Sequence, residues 1–68
     1  MMPYENEVLA VLDKFPRGLR LRDIGGQVGV WHVALVQTMN ELERQNKVVS
    51  IPGGDRANME FYYIWKKI

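Results

Sequence analysis

The chain of 68 residues contains no cysteine and a single histidine, His32. Without cysteine, neither a disulfide nor a thiolate zinc site can stabilise so small a domain. The apolar residues, 47% of the chain, must therefore form its core unaided. One histidine without cysteine partners also argues against a transition-metal site. We expect a cytoplasmic protein that uses no cofactor or metal.

The sequence also lacks segments that would direct the chain into or across a membrane. Its first residues, Met1–Glu5, include no basic region, and the longest apolar run, Val8–Leu12, is far shorter than a membrane span. We expect neither a secretory signal nor a membrane-spanning helix.

Catalytic groups are equally scarce. The only serine, Ser50, falls in a predicted strand, and no acid is placed to orient His32 toward it. No pair of carboxylates stands in apolar surroundings, where a raised pKa could support acid–base chemistry. We therefore predict that the protein is not an enzyme.

Charge of either sign is in little excess, with nine basic and eight acidic residues and a net charge of +1. Both halves of the chain share this balance. Proteins that depend on phosphate contacts usually show a stronger basic excess. The composition thus neither requires nor excludes a nucleic-acid partner.

The first half of the chain predicts two helices joined by a very short strand. A first helix of about three turns has apolar residues at spacings of three and four and ends before Pro16. Leu19–Leu21 alternates apolar and polar residues, as a strand does. A short second helix follows, from Arg22 or Asp23 to about Val28. The apolar stripe of the first helix consists of Tyr4, Val8, Val11, Leu12 and Phe15.

The second helix contains Gly25 and Gly26, which each cost about 1 kcal/mol relative to alanine. We interpret them as a place where another helix backbone packs closely. A glycine-rich phosphate cradle is the alternative, but no lysine–serine or lysine–threonine pair follows. Gly29 is expected to end this helix in the left-handed conformation, with Val30 as an apolar plug.

A third helix is predicted over Trp31–Gln45, with apolar residues on both of its sides, and Asn46 is a candidate left-handed cap. The side expected to face the core consists of Val30, Ala34, Leu35, Thr38, Met39 and Leu42. The opposite side consists of Trp31, His32, Val33, Val36, Gln37 and Asn40.

The last third of the chain predicts a β-hairpin. Val48–Ile51 and Met59–Trp65 are rich in strand formers, and residues 52–58 between them, which include Arg56, are dense in turn formers. In the second strand Phe61, Tyr63 and Trp65 alternate with Tyr62 and Ile64, so we expect one set on the helices and the other partly exposed. The whole chain, residues 1–68, is one domain of the α+β class.

The element order, α-β-α-α-β-β, resembles the winged helix-turn-helix domains of bacterial and archaeal transcription regulators. The resemblance covers essentially the whole chain. Its most specific part is LRLRDIGGQVGV followed by VALVQTMNELERQNKVV, with Gly29-Val30 at the turn and Leu42-Glu43 before the strand. In this family the third helix enters the major groove, and the hairpin, called the wing, lies over the neighbouring backbone or minor groove.

The resemblance implies a double-stranded DNA partner and assigns candidate contacts. The helix positions that face DNA correspond to Trp31, His32, Val33, Val36, Gln37 and Asn40. Candidate phosphate contacts are Arg20, Arg22 and Lys47, with Arg56 on the wing at residues 52–58. The family often has serine or threonine in place of Trp31 and basic residues among the others. The helix is therefore less polar and less charged than is usual for the family.

A protein-interaction module is the alternative function. Its basis is the apolar set Trp31, Val33 and Val36, together with the aromatic strand Met59–Trp65, since contiguous exposed aromatics usually mark an interface. The partner would be another protein or a second copy, and a homodimer is compatible with DNA binding. The arginines near Leu19 have an alternative too, as a solvated strand edge.

Overall fold

The computed structural model describes residues 2–55, 57 and 59–68. Within these residues the chain forms three α-helices, one 3₁₀ helix and three strands. They follow in the order α1 (Glu5–Lys14), β1 (Leu19–Arg20), α2 (Leu21–Val28), the 3₁₀ helix (His32–Leu35), α3 (Val36–Arg44), β2 (Val48–Asp55) and β3 (Glu60–Lys67). The predicted α+β class and the predicted order of helices and strands are confirmed.

The central part of the α1 stripe packs as its periodicity predicts, with Val8 and Leu12 fully buried. The two ends of the predicted stripe, Tyr4 and Phe15, lie outside the core and are exposed. Both residues cap α1 rather than belong to it: Tyr4 has a left-handed φ of 65°, and Phe15 follows the last turn. Neither side chain therefore shares the direction of the buried residues.

The three strands form one antiparallel sheet in the order β1-β3-β2. Trp65 of the central strand β3 lies opposite Leu19 of β1 and Ser50 of β2. Its side chain is buried against the helices and closes the core from the sheet side. This placement makes Trp65 a structural residue.

Side chains from all three α-helices, the 3₁₀ helix and the sheet form one core. Leu35, Met39 and Leu42 confirm the predicted inward side, and Val30 packs at its edge. Met59 lies outside this core, in the hairpin turn, and is 77% exposed. The buried apolar residues are Val8, Leu12, Ile24, Leu35, Met39, Leu42, Val48 and Trp65.

The predicted helix Trp31–Gln45 is not one continuous α-helix. Its first turn is the 3₁₀ helix, in which the N–H of Ala34 donates to the carbonyl of Trp31 at 2.9 Å. A 3₁₀ helix has three residues per turn, so its side chains rotate out of the register of an α-helix. Ala34, predicted to face inward, is consequently exposed. The predicted start of the second helix is also corrected, because α2 begins at Leu21.

The end of α3 confirms Asn46 as a left-handed cap, with a φ of 60°. The N–H of Lys47 donates to the carbonyl of Leu42 at 2.9 Å, and the N–H of Asn46 to that of Glu43 at 3.0 Å. This pair of bonds is a Schellman motif, which satisfies two of the free carbonyls at the helix end. The motif turns the chain directly into β2.

Side-chain hydrogen bonds attach α3 to its neighbours. The hydroxyl of Thr38, which is buried, donates to the carbonyl of Pro3 at 2.8 Å. The hydroxyl of Ser50 in β2 donates to Oε2 of Glu43 at 2.6 Å. The third helix is therefore held from the N-terminal segment and from the sheet, while its outward side is free of both.

Candidate nucleic-acid interface

The turn between α2 and the 3₁₀ helix is built around two glycines. Gly29 caps α2 with a φ of 89°, as predicted, and the carbonyl of Gly25 accepts the N–H groups of Gly29 and Val30 at 2.8 and 3.0 Å. A Cβ at Gly25 would lie 2.8 Å from the Val30 carbonyl oxygen and 3.0 Å from the His32 backbone. The predicted close approach is therefore confirmed at this position.

Gly26 does not share that role. A Cβ at Gly26 would have no atom within 4 Å, and the residue is exposed. The prediction that both glycines accommodate a neighbouring backbone is wrong for Gly26, since this side of α2 faces away from the 3₁₀ helix. Only Gly25 fixes how closely the two helical segments approach each other.

The 3₁₀ helix and α3 together, His32–Arg44, are the third helical segment, and an apolar patch lies on its outward side and at its N-cap, Trp31. Trp31 is 72% exposed, Val33 49% and Val36 42%. Trp31 is therefore not packed against the core. Its ring contacts the ring of the half-buried His32 edge to face, with the two ring centroids 6.1 Å apart. Gln37 and Asn40 are exposed on the same helix. The structure thus places the six predicted contact residues on the surface, with His32 the least accessible.

The charged groups near this outward side neutralise each other. Nε of Arg44 donates to Oε2 of Glu41 at 2.9 Å, and Nε2 of Gln45 donates to Oε1 of Glu41 at 2.9 Å. These hydrogen bonds, first that of Arg44 and then that of Gln45, lower the pKa of Glu41 to about 2. The carboxylate stays ionised at neutral pH, and Arg44 is matched by an opposite charge.

The hairpin is longer than predicted and has a shorter tip. We predicted strands over 48–51 and 59–65 with a loop over 52–58, but residues 52–55 continue β2 and pair with residues 60–63. Pro52 is tolerated because β2 is an edge strand, where a missing N–H can face away from the ladder. The predicted wing contact Arg56 lies outside the described residues.

Exposure of the β3 aromatics changes along the strand as well as from side to side. Phe61, Tyr63 and Trp65 share one side by alternation, yet Phe61 is 71% and Tyr63 57% exposed while Trp65 is buried. Tyr62 and Ile64 on the other side are half-buried. We expected burial to follow the side of the strand. It does not, because β1 is only two residues long and borders only Ile64 and Trp65.

Arg20 and Tyr62 connect the outer half of the hairpin to β1. The guanidinium carbon of Arg20 lies 4.2 Å from the centre of the Tyr62 ring, a cation–π contact. The same ring covers Gly53, where a Cβ would lie 2.8 Å from Cε2 of Tyr62. Arg20, a predicted phosphate contact, is therefore also a stabilising contact of the hairpin.

Arg22 stands at the start of α2, next to the hairpin. It is exposed and borders a shallow groove of about 280 Å³ between the α2 N-terminus and β3. The groove is lined by Arg20, Leu21, Arg22, Tyr62, Tyr63 and Trp65. Lys47, directly after α3, is also exposed. The structure thus brings Arg20 and Arg22 together at the hairpin and leaves Lys47 at the end of the helix.

The described residues contain neither a metal-binding cluster nor a membrane-spanning helix. No group of three histidine, aspartate or glutamate side chains there could hold a metal ion. None of the helices in the described part of the chain is long and apolar enough to cross a membrane.

Comparison with models of known families, with curated proteins and with solved structures returns no match to this chain. The functional argument therefore depends on the residues of the interface itself. Three parts of that interface were missed from the sequence: the pairing of Arg44 with Glu41, the stacking of Arg20 on Tyr62, and the division of one side of β3 into exposed Phe61 and Tyr63 and buried Trp65. Only the first had a sequence signal, since residues three apart on a helix are neighbours.

Proposed function

We propose that this protein is a winged-helix DNA-binding protein that regulates transcription. The observation that carries the proposal is the third helical segment, His32–Arg44, which is anchored on its inner side and exposed on its outer side. Gly25 holds the preceding helix against it at backbone contact. Two helices joined by a tight glycine turn, with the second exposed, form the arrangement that enters a major groove.

In the proposed DNA-binding protein the hairpin β2–β3 is the wing. Its outer part extends beyond β1 and carries the exposed residues Phe61 and Tyr63. Arg22 stands beside the wing at the N-terminus of α2, where a cation and free backbone N–H groups suit a phosphate. In the proposed complex α3 contacts base edges, while Arg22, Lys47 and the wing contact the backbone on either side.

Binding to duplex DNA tests the proposal directly. Fluorescence anisotropy with labelled duplexes of random sequence, at 20–200 mM salt, should show binding that weakens as salt rises. The Asn40→Ala and Gln37→Ala variants should weaken binding to a selected site, because each removes a carboxamide from the outward side of α3. Asn6→Ala is the matched control, since Asn6 is also exposed but lies on α1. Absence of binding at the lowest salt would refute the proposal.

Self-association through apolar surface is the second candidate, and the 72% exposure of Trp31 favours it. Large exposed apolar patches usually mark interfaces. Light scattering from micromolar to millimolar concentration should then show a dimer that Trp31→Ser abolishes. Ile68→Ser is the matched control, because Ile68 is also 72% exposed but lies at the C-terminal end of the chain. A monomer throughout this range would exclude this candidate.

A further inference from the structure

The outward side of α3 carries a narrow stripe of side chains directly opposite the core. Gln37, Asn40 and Arg44 recur at spacings of three and four and are all exposed, while Leu42 on the other side is fully buried. Val33, in the 3₁₀ helix that leads into α3, is also exposed, and we count it as the N-terminal end of the stripe. From Val33 to Asn40 the stripe is about 11 Å long, which matches about three base-pair steps of 3.4 Å.

The stripe has no unmatched positive charge among its described side chains. Its one cation, Arg44, is hydrogen bonded to the carboxylate of Glu41 at 2.9 Å. The commonest specific contact to guanine is made by arginine or lysine, which donate to the O6 and N7 acceptors in the major groove. A stripe without a free cation lacks the side chain that most commonly makes this contact.

The carboxamide and apolar side chains of the stripe suit an A·T base pair. A carboxamide can donate to N7 and accept from N6 of adenine, and an exposed apolar side chain can pack on the methyl group of thymine. Gln37 and Asn40 supply the carboxamides, and Val33, 49% exposed, supplies the apolar contact. Val36, 42% exposed at the border of the stripe, adds to the apolar surface.

We propose that the stripe Val33–Gln37–Asn40 selects A·T base pairs, with Val33 on a thymine methyl group and Gln37 and Asn40 on adenine edges. The inference rests on the proposed DNA binding and names its target. It concerns base edges in the major groove. Contacts to phosphate from Arg22, Lys47 or the wing would not distinguish one sequence from another.

Selection from a pool of random duplexes tests the preference first. We expect the bound fraction to share a core of about three consecutive A·T pairs. Two modified duplexes then test the individual contacts. Uracil in place of thymine removes only the methyl group, and 7-deazaadenine in place of adenine removes only the N7 acceptor. At the selected site we expect about fourfold weaker binding from one uracil and about tenfold from one 7-deazaadenine.

Variants assign each effect to its side chain. In Val33→Ala the uracil effect should disappear while the 7-deazaadenine effects stay. In Gln37→Ala or Asn40→Ala the 7-deazaadenine effect should disappear at the one adenine that the altered side chain contacts, while the uracil effect stays. Asn6→Ala, altered on α1, should retain both effects. Because Val33, Gln37 and Asn40 are exposed, all three variants are expected to fold, which circular dichroism would verify.

The outcomes separate this inference from the function on which it rests. Salt-dependent duplex binding with a G·C-rich consensus, with no consensus, or with full affinity for the modified duplexes would overturn the A·T preference and leave DNA binding intact. Absence of duplex binding at low salt would overturn both.

Discussion

Replacing each of the two adjacent glycines of α2 by alanine should change the stability of the protein in opposite directions. In Gly26→Ala the new methyl group meets no atom within 4 Å, so the substitution only improves helix propensity and stiffens the unfolded chain. We expect the free energy of unfolding to rise by about 1 kcal/mol. For a chain of 68 residues this corresponds to an increase in Tm of about 7 °C.

In Gly25→Ala the same gain in helix propensity is opposed by a steric clash. The methyl carbon would lie 2.8 Å from the carbonyl oxygen of Val30 and 3.0 Å from Cα and N of His32. All three atoms belong to the backbone, so no side chain can rotate away. Overpacking of this kind costs about 1–3 kcal/mol, occasionally more. Because the clash is with backbone, we take the upper end of this range, about 3 kcal/mol, and the propensity gain of about 1 kcal/mol leaves a net loss of about 2 kcal/mol and a lower Tm.

Urea and thermal denaturation followed by far-UV circular dichroism measure both changes, and each variant serves as the control for the other. The urea m-value should stay the same, because the substitutions do not alter the surface exposed on unfolding. Gly25→Ala as stable as the wild type would show that α2 and the 3₁₀ helix are not held at backbone contact. The packing argument would then be wrong.

Three further predictions concern α3. Glu41→Gln removes the carboxylate that neutralises Arg44, so the protein should bind duplex DNA more tightly. The slope of the logarithm of the binding constant against the logarithm of the salt concentration should steepen by about 1. Glu7→Gln, a change at an exposed residue of α1, should leave the affinity and the slope unchanged. The pKa of Glu41 is about 2 in the folded protein and about 4.5 in the unfolded chain, so this carboxylate stabilises the fold above pH 4.5 and its contribution is lost as pH falls toward 2. Urea denaturation should show the stabilities of wild type and Glu41→Gln converging over that range. Thr38→Val, which removes the donor to the Pro3 carbonyl, should lower the free energy of unfolding by about 1 kcal/mol, and an unchanged urea midpoint would contradict this hydrogen bond.

The parts of the fold that could be predicted from sequence depend on local periodicity and on single special residues. The spacing of Val8 and Leu12, and of Leu35, Met39 and Leu42, placed the correct residues in the core because a helix repeats every 3.6 residues. The left-handed turn at Gly29 followed from residue type alone.

The parts that could not be predicted depend on contacts between distant residues. Residues 52–54 are typical of a turn, yet they continue β2 because β3 pairs with them and the Tyr62 ring covers Gly53. The stacking of Arg20 on Tyr62 joins residues 42 positions apart, and local pattern gives no signal for it. Exposure of Phe61 follows from the shortness of β1, which alternation along β3 does not reveal.

The positions of the proposed contact residues could be predicted only in part. Alternation of the helix faces correctly placed Gln37 and Asn40 on the surface, while the 3₁₀ geometry that turned Ala34 outward depends on how the turn packs on Gly25. The identity of the partner depends on chemistry that neither periodicity nor packing determines. It is accordingly a proposal built on the exposed groups themselves.

The two tryptophans occupy opposite environments, because Trp31 is exposed at the start of the third helical segment and Trp65 of β3 is buried between the sheet and the helices. Their indole fluorescence therefore carries two separate signals. Acrylamide should quench the red-shifted emission of Trp31 and spare the blue-shifted emission of Trp65. A partner that covers the outward side would shield Trp31 alone, whereas unfolding would expose Trp65. The protein thus carries an intrinsic optical probe that distinguishes occupancy of its surface from loss of its core.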